Sequence, residues 1–290
     1  MSAAHHGDEN TQMTTANAQP RISVVTPSFN QATFLESTIR SVLEQSYQDV
    51  EYIIIDGEST DGSIEIIKRY ATQLAYWCAE KDQGQAHAIA KGFAKSTGDI
   101  LCWLNSDDTF TSGALAAVAE YFTTHPRADA VSAGAYLVDA GGNPHGTLPC
   151  SYTLGVRATY NRFRIYGQEG VYQQATFWRR EAYFAAGGID PSLTFIMDLD
   201  LFARLACLKR FGRLPQLVAC FRQHEAAKSS LLSIVHDREF AAFQLRHVQP
   251  TYPSIIRHLL HTHYKYQSKL RRLLLVALRA LHLTGPFLFA

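Results

Sequence analysis

Between residues 21 and 133, short apolar runs alternate with longer amphipathic stretches. Residues 21–26 (RISVVT) are a β-branched run and predict a first strand, ended by Pro27 and the loop PSFNQ. Leu35, Ile39, Val42 and Leu43 recur at helical spacing, which predicts a helix over 32–45. Runs at 50–55 (VEYIII), 75–79 (AYWCA) and 100–105 (ILCWLN) predict three more buried strands. The stretches 63–71 and 86–96 carry Ile64, Ile67 and Tyr70, then Ile89, Ala90 and Phe93, at helical spacing. A helix at 113–124 and a strand at 128–133 follow, then a turn-rich, aromatic excursion over 136–167 that would cover one end of the sheet. Residues 172–179 (YQQATFWR) alternate like a strand, and 180–186 form a short helix ended by Gly187-Gly188. Asp198-Leu199-Asp200 opens a helix with Leu201, Leu205 and Leu208 inward; a strand at 213–222 and helices at 236–248 and 254–283 complete the pattern.

Four strand–helix alternations imply an α/β fold: a mostly parallel sheet with right-handed crossovers, sandwiched in three α/β/α layers. Parallel strands share a direction, so their C-terminal loops lie along one edge, where open α/β sheets bind ligands. Asn30, Asp56, Asp82 and Asp107 stand in four such loops and converge, though tens of residues apart. The stretch DILCWLNSDD (99–108) centres this edge: a buried run stops at Asn105-Ser106-Asp107-Asp108. Adjacent carboxylates there repel, and a hard cation offsets the repulsion; Mg²⁺ is typically held by one or two carboxylates plus substrate phosphates. The plainer account is a solvated loop in which Asp108 caps the next turn.

Composition narrows the class. The chain has 290 residues, net charge +1 and 47% hydrophobic residues, which gives no global case for nucleic acid. Its five cysteines, at 78, 102, 150, 207 and 220, form no CxxC pair. Cys78 and Cys102 lie in strand-like runs and read as reduced, buried residues of a cytoplasmic protein. Residues 1–20 carry no apolar signal-peptide core and read as a disordered tail. The expected division is 1–20 tail, 21–232 catalytic domain and 233–290 basic helical extension.

Seven segments in order carry a resemblance: PSFNQ (27–31), IIIDGESTDGS (53–63), EKDQGQAHAIAKG (80–92), GDILCWLNSDD (98–108), QATFWRRE (174–181), GGIDPSLTFIMDLDLFARL (187–205) and FRQHEAAKS (221–229). Over about 21–230 the chain resembles the inverting family 2 glycosyltransferases, which have a Rossmann-like, nucleotide-diphospho-sugar transferase fold. Four positions depart from that family. Glu58 stands where a second glycine is common, Ala90 where an asparagine is, Asn105 for the first aspartate of the DxD motif, and Met197 for an acid before the catalytic aspartate. The last two lower the negative charge near a metal and imply weaker metal binding.

The resemblance implies roles. Asp56 would read the nucleobase; a fixed carboxylate accepts the N3–H of uracil or thymine, which favours UDP or dTDP donors. Pro27, Phe29 and Asn30 would line that pocket with Asp82 nearby, and Asn105 and Asp107 would face ribose and metal. Mg²⁺ or Mn²⁺ bridging both phosphates would neutralise the leaving diphosphate. His224 would be a further metal ligand, with Asp108 as an additional candidate. Lys228, and with it Arg222, would meet the diphosphate from a flap. Asp198 would be the general base, Asp200 a structural acid, and Gln174 and Trp178 contacts to sugar or acceptor. Each residue also has a structural account: a turn-initiating Asp56, a satisfied His224, a solvated Lys228, an N-capping Asp198, a core-packed Trp178.

The implied activity is metal-dependent, inverting sugar transfer to a hydroxyl acceptor in bacterial surface polysaccharide or glycolipid assembly. A nucleotidyltransferase of sugar-nucleotide synthesis would carry a basic, Gly-rich loop after the first strand, where this chain has PSFNQ. A non-catalytic sugar-nucleotide-binding module would not need both Asp107 and Asp198. The implied partners are a nucleotide-sugar donor and a saccharide or lipid-linked saccharide acceptor, with no nucleic acid. From Phe240 onward there is no acidic residue, while 254–283 is basic and amphipathic. Such a helix either lies on the inner face of the cytoplasmic membrane or packs on the catalytic domain or a second copy in a homodimer.

Overall fold

The computed structural model describes residues 19–150, 171–208, 210–225, 227 and 234–247. It divides into two units, 1–233 and 234–290. In the first, β1 (Ile22–Ser28), α1 (Ala32–Leu43), β2 (Val50–Asp56), α2 (Ser63–Tyr70), β3 (Tyr76–Ala79), α3 (Gln85–Lys95) and β4 (Ile100–Trp103) alternate. Then come β5 (Thr109–Phe110), α4 (Ala114–Thr124), β6 (Ala130–Val138), β7 (Pro144–Leu148), β8 (Thr176–Arg179), α5 (Arg180–Ala185), α6 (Met197–Ala206) and β9 (Phe211–Arg222). The second unit holds one described helix, α7 (Ile234–His247). The helix at 254–283 lies outside the described residues.

The sheet order is β3-β2-β1-β4-β8-β6-β9-β5, with β7 beside β6. Strands β1 to β4 pair in parallel, as the strand–helix alternation requires. β8 inserts antiparallel between β4 and β6, and β9 returns parallel to β6. The period of two along the strands separates two layers of core. Ile22, Val24, Tyr52, Ile54, Ile100 and Cys102 face one side and pack with α1, α2 and α4. Val25 faces the other, where a Cβ at Gly92 of α3 would strike it, so a glycine is required for that close approach. On the same side Phe93, Trp103, Trp178, Tyr183 and Phe202 form one aromatic cluster.

Several elements differ from the sequence expectation. β1 runs on through Pro27 and Ser28, opposite Ile55 and Asp56 of β2. Val25 accepts the last bond on the β4 side, from Leu104, and Pro27 faces that side beyond the ladder, where its missing N–H costs nothing. Residues 173–175 are a 3-10 turn, not strand. β5 is two residues long and exists through its pairing with β9. β6 continues to Val138, and the expected excursion begins instead as the hairpin partner β7; residues 151–170 lie outside the description. None of the five cysteines is in a disulfide; Cys102 is buried, but Cys78 is only half-buried because β3 is an edge strand.

Candidate active site

At the C-terminal edge of β1 and β2, two loops are locked together by side chains. Asp56, fully buried at the end of β2, accepts hydrogen bonds from Ser28 Oγ (2.7 Å), Ser59 Oγ (2.8 Å) and Ser59 N (2.7 Å). Ser59 Oγ in turn accepts from Asn30 N at 2.8 Å, and Asn30 Oδ1 accepts from Thr60 N at 2.9 Å. Asp61 accepts from Ala32 N at the start of α1 and from Ser63 at the start of α2. Asp56 thus organises the turn, as its structural account required, with three of roughly four acceptor positions in use.

Asn30 and Glu58 both adopt left-handed backbone, at φ 52° and 68°. Asparagine tolerates that region; glutamate occupies it at a cost that glycine, usual at 58 in the family it resembles, does not carry. Phe29 is 61% exposed beside Asn30, while Pro27 is buried in β1. A Cβ at Gly57 would stand 3.1 Å from both Asp82 Oδ2 and Phe29 Cδ2, so the first three loops meet there. Asp82 also accepts from Gly84 N at 2.7 Å, which closes the turn into α3.

The acidic pair after β4 splits into two different residues. Asp107 is part-exposed, and its Oδ2 lies 3.2 Å from His224 Nε2, which follows β9. Two donors at right angles, each about 2.1 Å from an octahedral cation, stand about 3.0 Å apart, so the pair fits as adjacent Mg²⁺ or Mn²⁺ ligands. Among the described residues no group of three or more His, Cys, Asp or Glu is arranged around a metal. Of the described residues, Asp107 and His224 would be the side-chain donors, with substrate phosphates beside them.

Asp108 is 1% exposed, its Oδ1 accepting Arg222 N at 2.9 Å and its Oδ2 without a hydrogen-bond partner. Burial, with Asp107 next, pushes its carboxyl well above the usual carboxylate range, against the Arg222 N–H and charge and a hydrogen bond with the Asn105 side chain. With its carboxyl buried and Oδ1 turned to the Arg222 N–H, Asp108 braces β9, whereas Asp107 is the acid of the pair that reaches the edge. Thr38 of α1 supports the loop, its hydroxyl 2.9 and 2.7 Å from the Ser106 and Asp108 carbonyls.

Arg222 is a second correction. It is buried, donates Nε to the Asp107 carbonyl (2.8 Å) and Nη1 to the Ala140 carbonyl (3.0 Å), and lies over Phe34. It braces the loop rather than meeting a diphosphate. Phe34 also packs against the His224 ring at 4.6 Å. Phe34 stands off the Leu35–Ile39–Val42 stripe, so no local period marks it in the sequence. Lys228 lies outside the described residues.

Asn105 is held between two residues that sequence reasoning did not single out: Gln85 Nε2 donates to its Oδ1 (2.8 Å), and its Nδ2 donates to Gln173 Oε1 (3.0 Å). Gln174 is buried in the 3-10 turn beside Gln173. Trp178 is fully buried in the aromatic cluster, which corrects the expectation of a sugar contact and leaves it a packing role.

Asp198 is the second residue of α6, after the capping position Ile196, so it is not the N-cap. It is part-buried, and Oδ1 accepts from Leu199 N at 2.8 Å. The helix dipole favours negative charge in this first turn. Four residues on, Phe202 stacks on Trp103 at 6.3 Å, so Asp198 shares the side of α6 that packs toward β4. Asp200 is buried and ion-paired with Arg204 at 2.7 Å, one turn on along the same helix.

Known proteins share this architecture. The chain is 34% identical over 108 residues to a putative teichuronic acid biosynthesis glycosyltransferase, TuaG, of Bacillus subtilis, a match covering 36% of this chain and 43% of that protein. Among the curated relatives, the matched stretch takes in 33% of one and 69% of another. Staphylococcus aureus TarS in complex with UDP-GlcNAc superposes with TM-score 0.65 at 16% identity, over 82% of this chain and 69% of that one. A mannosyltransferase of Pyrobaculum calidifontis in complex with GDP-Man and Mn²⁺ gives TM-score 0.60 at 19% identity, over 84% and 69%. The fold is thus that of nucleotide-sugar transferases. The sequence profile described as Glycosyl transferase family 2 matches residues 23–187, more than half the chain and all four converging loops, so the protein belongs to glycosyl transferase family 2.

Proposed function

We propose that the protein is an inverting glycosyltransferase that uses Mg²⁺ or Mn²⁺ to move a sugar from a UDP or dTDP donor to a hydroxyl acceptor. The observation that carries this reading is the Asp107–His224 pair, 3.2 Å apart at the sheet edge where the nucleotide loops converge. Phe29, Asn30 and Asp82 line the nucleoside pocket, and Asp56, buried beneath it, shapes it by holding Ser28 and Ser59 in place. Asn105 faces the ribose. A cation held by Asp107 and His224 would neutralise the departing diphosphate. Asp198 takes the proton of the acceptor hydroxyl as its oxygen attacks the anomeric carbon; the bond to the diphosphate breaks on the opposite face, which inverts the centre. The solved neighbours bound to UDP-GlcNAc and to GDP-Man with Mn²⁺ support the donor class and the metal. The likeness to a teichuronic acid enzyme supports a role in bacterial surface polysaccharide assembly, with a saccharide or lipid-linked acceptor.

The reading is tested at Asp198. Asp198→Asn should lower kcat about 10²–10⁴-fold, the usual cost of a lost general base, and leave UDP binding nearly intact. A variant with near-native kcat would remove Asp198 from the mechanism.

A further inference from the structure

Three side-chain amides at the site form a directed relay. It starts at the Trp103 carbonyl, at the end of β4, which can only accept. Gln173 Nε2 donates to it at 2.7 Å. That turns Gln173 Oε1 toward Asn105, whose Nδ2 donates to it at 3.0 Å. Asn105 Oδ1 is thereby fixed as an acceptor, and Gln85 Nε2, at the first position of α3, donates to it at 2.8 Å. One backbone carbonyl thus sets the orientation of all three amides, independently of how each amide is assigned.

A carboxylate at 105 cannot belong to this relay. It has no proton for Gln173 Oε1, and turning the Gln173 amide over would set Oε1 against the Trp103 carbonyl. Either arrangement leaves two acceptors facing each other in a part-buried site, which costs more than the hydrogen bond itself. It would also add a third acid beside Asp107 and the buried Asp108.

We propose that Gln85 and Gln173 are positioning residues that hold Asn105 as a neutral donor–acceptor at the nucleotide site, and that asparagine at 105 is matched to them. Asparagine here is then not a weakened acid: aspartate, usual at this place in the family, should impair nucleotide binding in this chain. The inference rests on the sheet edge being the nucleotide-sugar site.

The test is calorimetry of UDP with Mn²⁺ on the full chain, with thermal melting alongside. Asn105→Asp should weaken UDP binding about tenfold, whereas a merely weakened acid predicts that it tightens. Gln173→Met has similar length and no charge; it should weaken UDP binding several-fold without abolishing folding. Adding Gln173→Lys to Asn105→Asp supplies donors to both the Trp103 carbonyl and the new carboxylate. It should return affinity to within about threefold of native. Binding by Asn105→Asp that equals or exceeds native overturns the relay, as does a double variant no better than Asn105→Asp alone. If Asn105→Asp does not fold, native-like UDP affinity in Gln173→Met overturns it instead. If the native chain binds none of UDP, dTDP and GDP with Mn²⁺, the nucleotide-site reading fails first and takes the proposal with it.

Discussion

Glu58 carries the clearest backbone cost in the candidate site. At φ 68° a residue with a Cβ loses roughly 1–2 kcal/mol, of which glycine's extra freedom when unfolded offsets about 0.5–1. Glu58→Gly should therefore stabilise the fold by about 0.5 kcal/mol, read as a rise in the urea midpoint with unchanged slope. A lower midpoint would mean that the Glu58 side chain contributes more than its backbone costs. Individual residues were unevenly legible in the sequence. Asp107 was conspicuous because a polar cluster ends a buried run. Phe34, Gln85 and Gln173 were not, because their partners lie 190, 20 and 68 residues away and no local period marks them. Trp178 misled because an aromatic near a site looks the same in sequence whether it packs or binds.

At the scale of elements, Glu51 of β2 works as a staple. It accepts from Ser23 Oγ of β1 (2.5 Å) and from Thr97 N and Oγ1 before β4 (2.7 and 2.8 Å), so it ties three parallel strands at their N-terminal ends. Burial alone would raise its carboxyl, but the hydrogen bonds from Ser23 and Thr97 outweigh it and hold the group below the usual glutamate range. A depressed folded pKa contributes stability that is fully present above the unfolded value, about 4.3, and is lost as pH falls through the folded value. Glu51→Gln should flatten the decline of stability between about pH 5 and pH 3, measured as urea midpoints across that window. A decline as steep as the native one would deny the staple. The elements themselves were readable wherever a period ran for several residues. β5 was missed because two residues carry no period, and β1 was cut short at Pro27 because only the sheet shows that its N–H side is already beyond the ladder.

For the molecule as a whole, the parallel half of the sheet followed directly from strand–helix alternation. The antiparallel insertion of β8 did not, since its order is fixed by contacts between distant strands. The family match ends at residue 187, before Asp198 and His224, so the proposed base and second ligand rest on where α6 and β9 bring them. Among the described residues no helix is long and apolar enough to cross a membrane. The sequence of 254–283, basic and apolar at helical spacing, suits either an anionic membrane surface or packing against the catalytic domain or a second copy. Flotation with phosphatidylglycerol vesicles should carry the full chain and not one ended at His247; equal flotation would assign that stretch to packing.

The central claim is that the nucleotide diphosphate is held through a cation at Asp107 and His224. It is tested most directly by titrating UDP into the native chain and into Asp107→Ala, each with Mn²⁺ and with chelator. The native chain should bind UDP at least tenfold more tightly with Mn²⁺ than with chelator, and Asp107→Ala should lose that difference. Equal UDP affinity in all four titrations would contradict it.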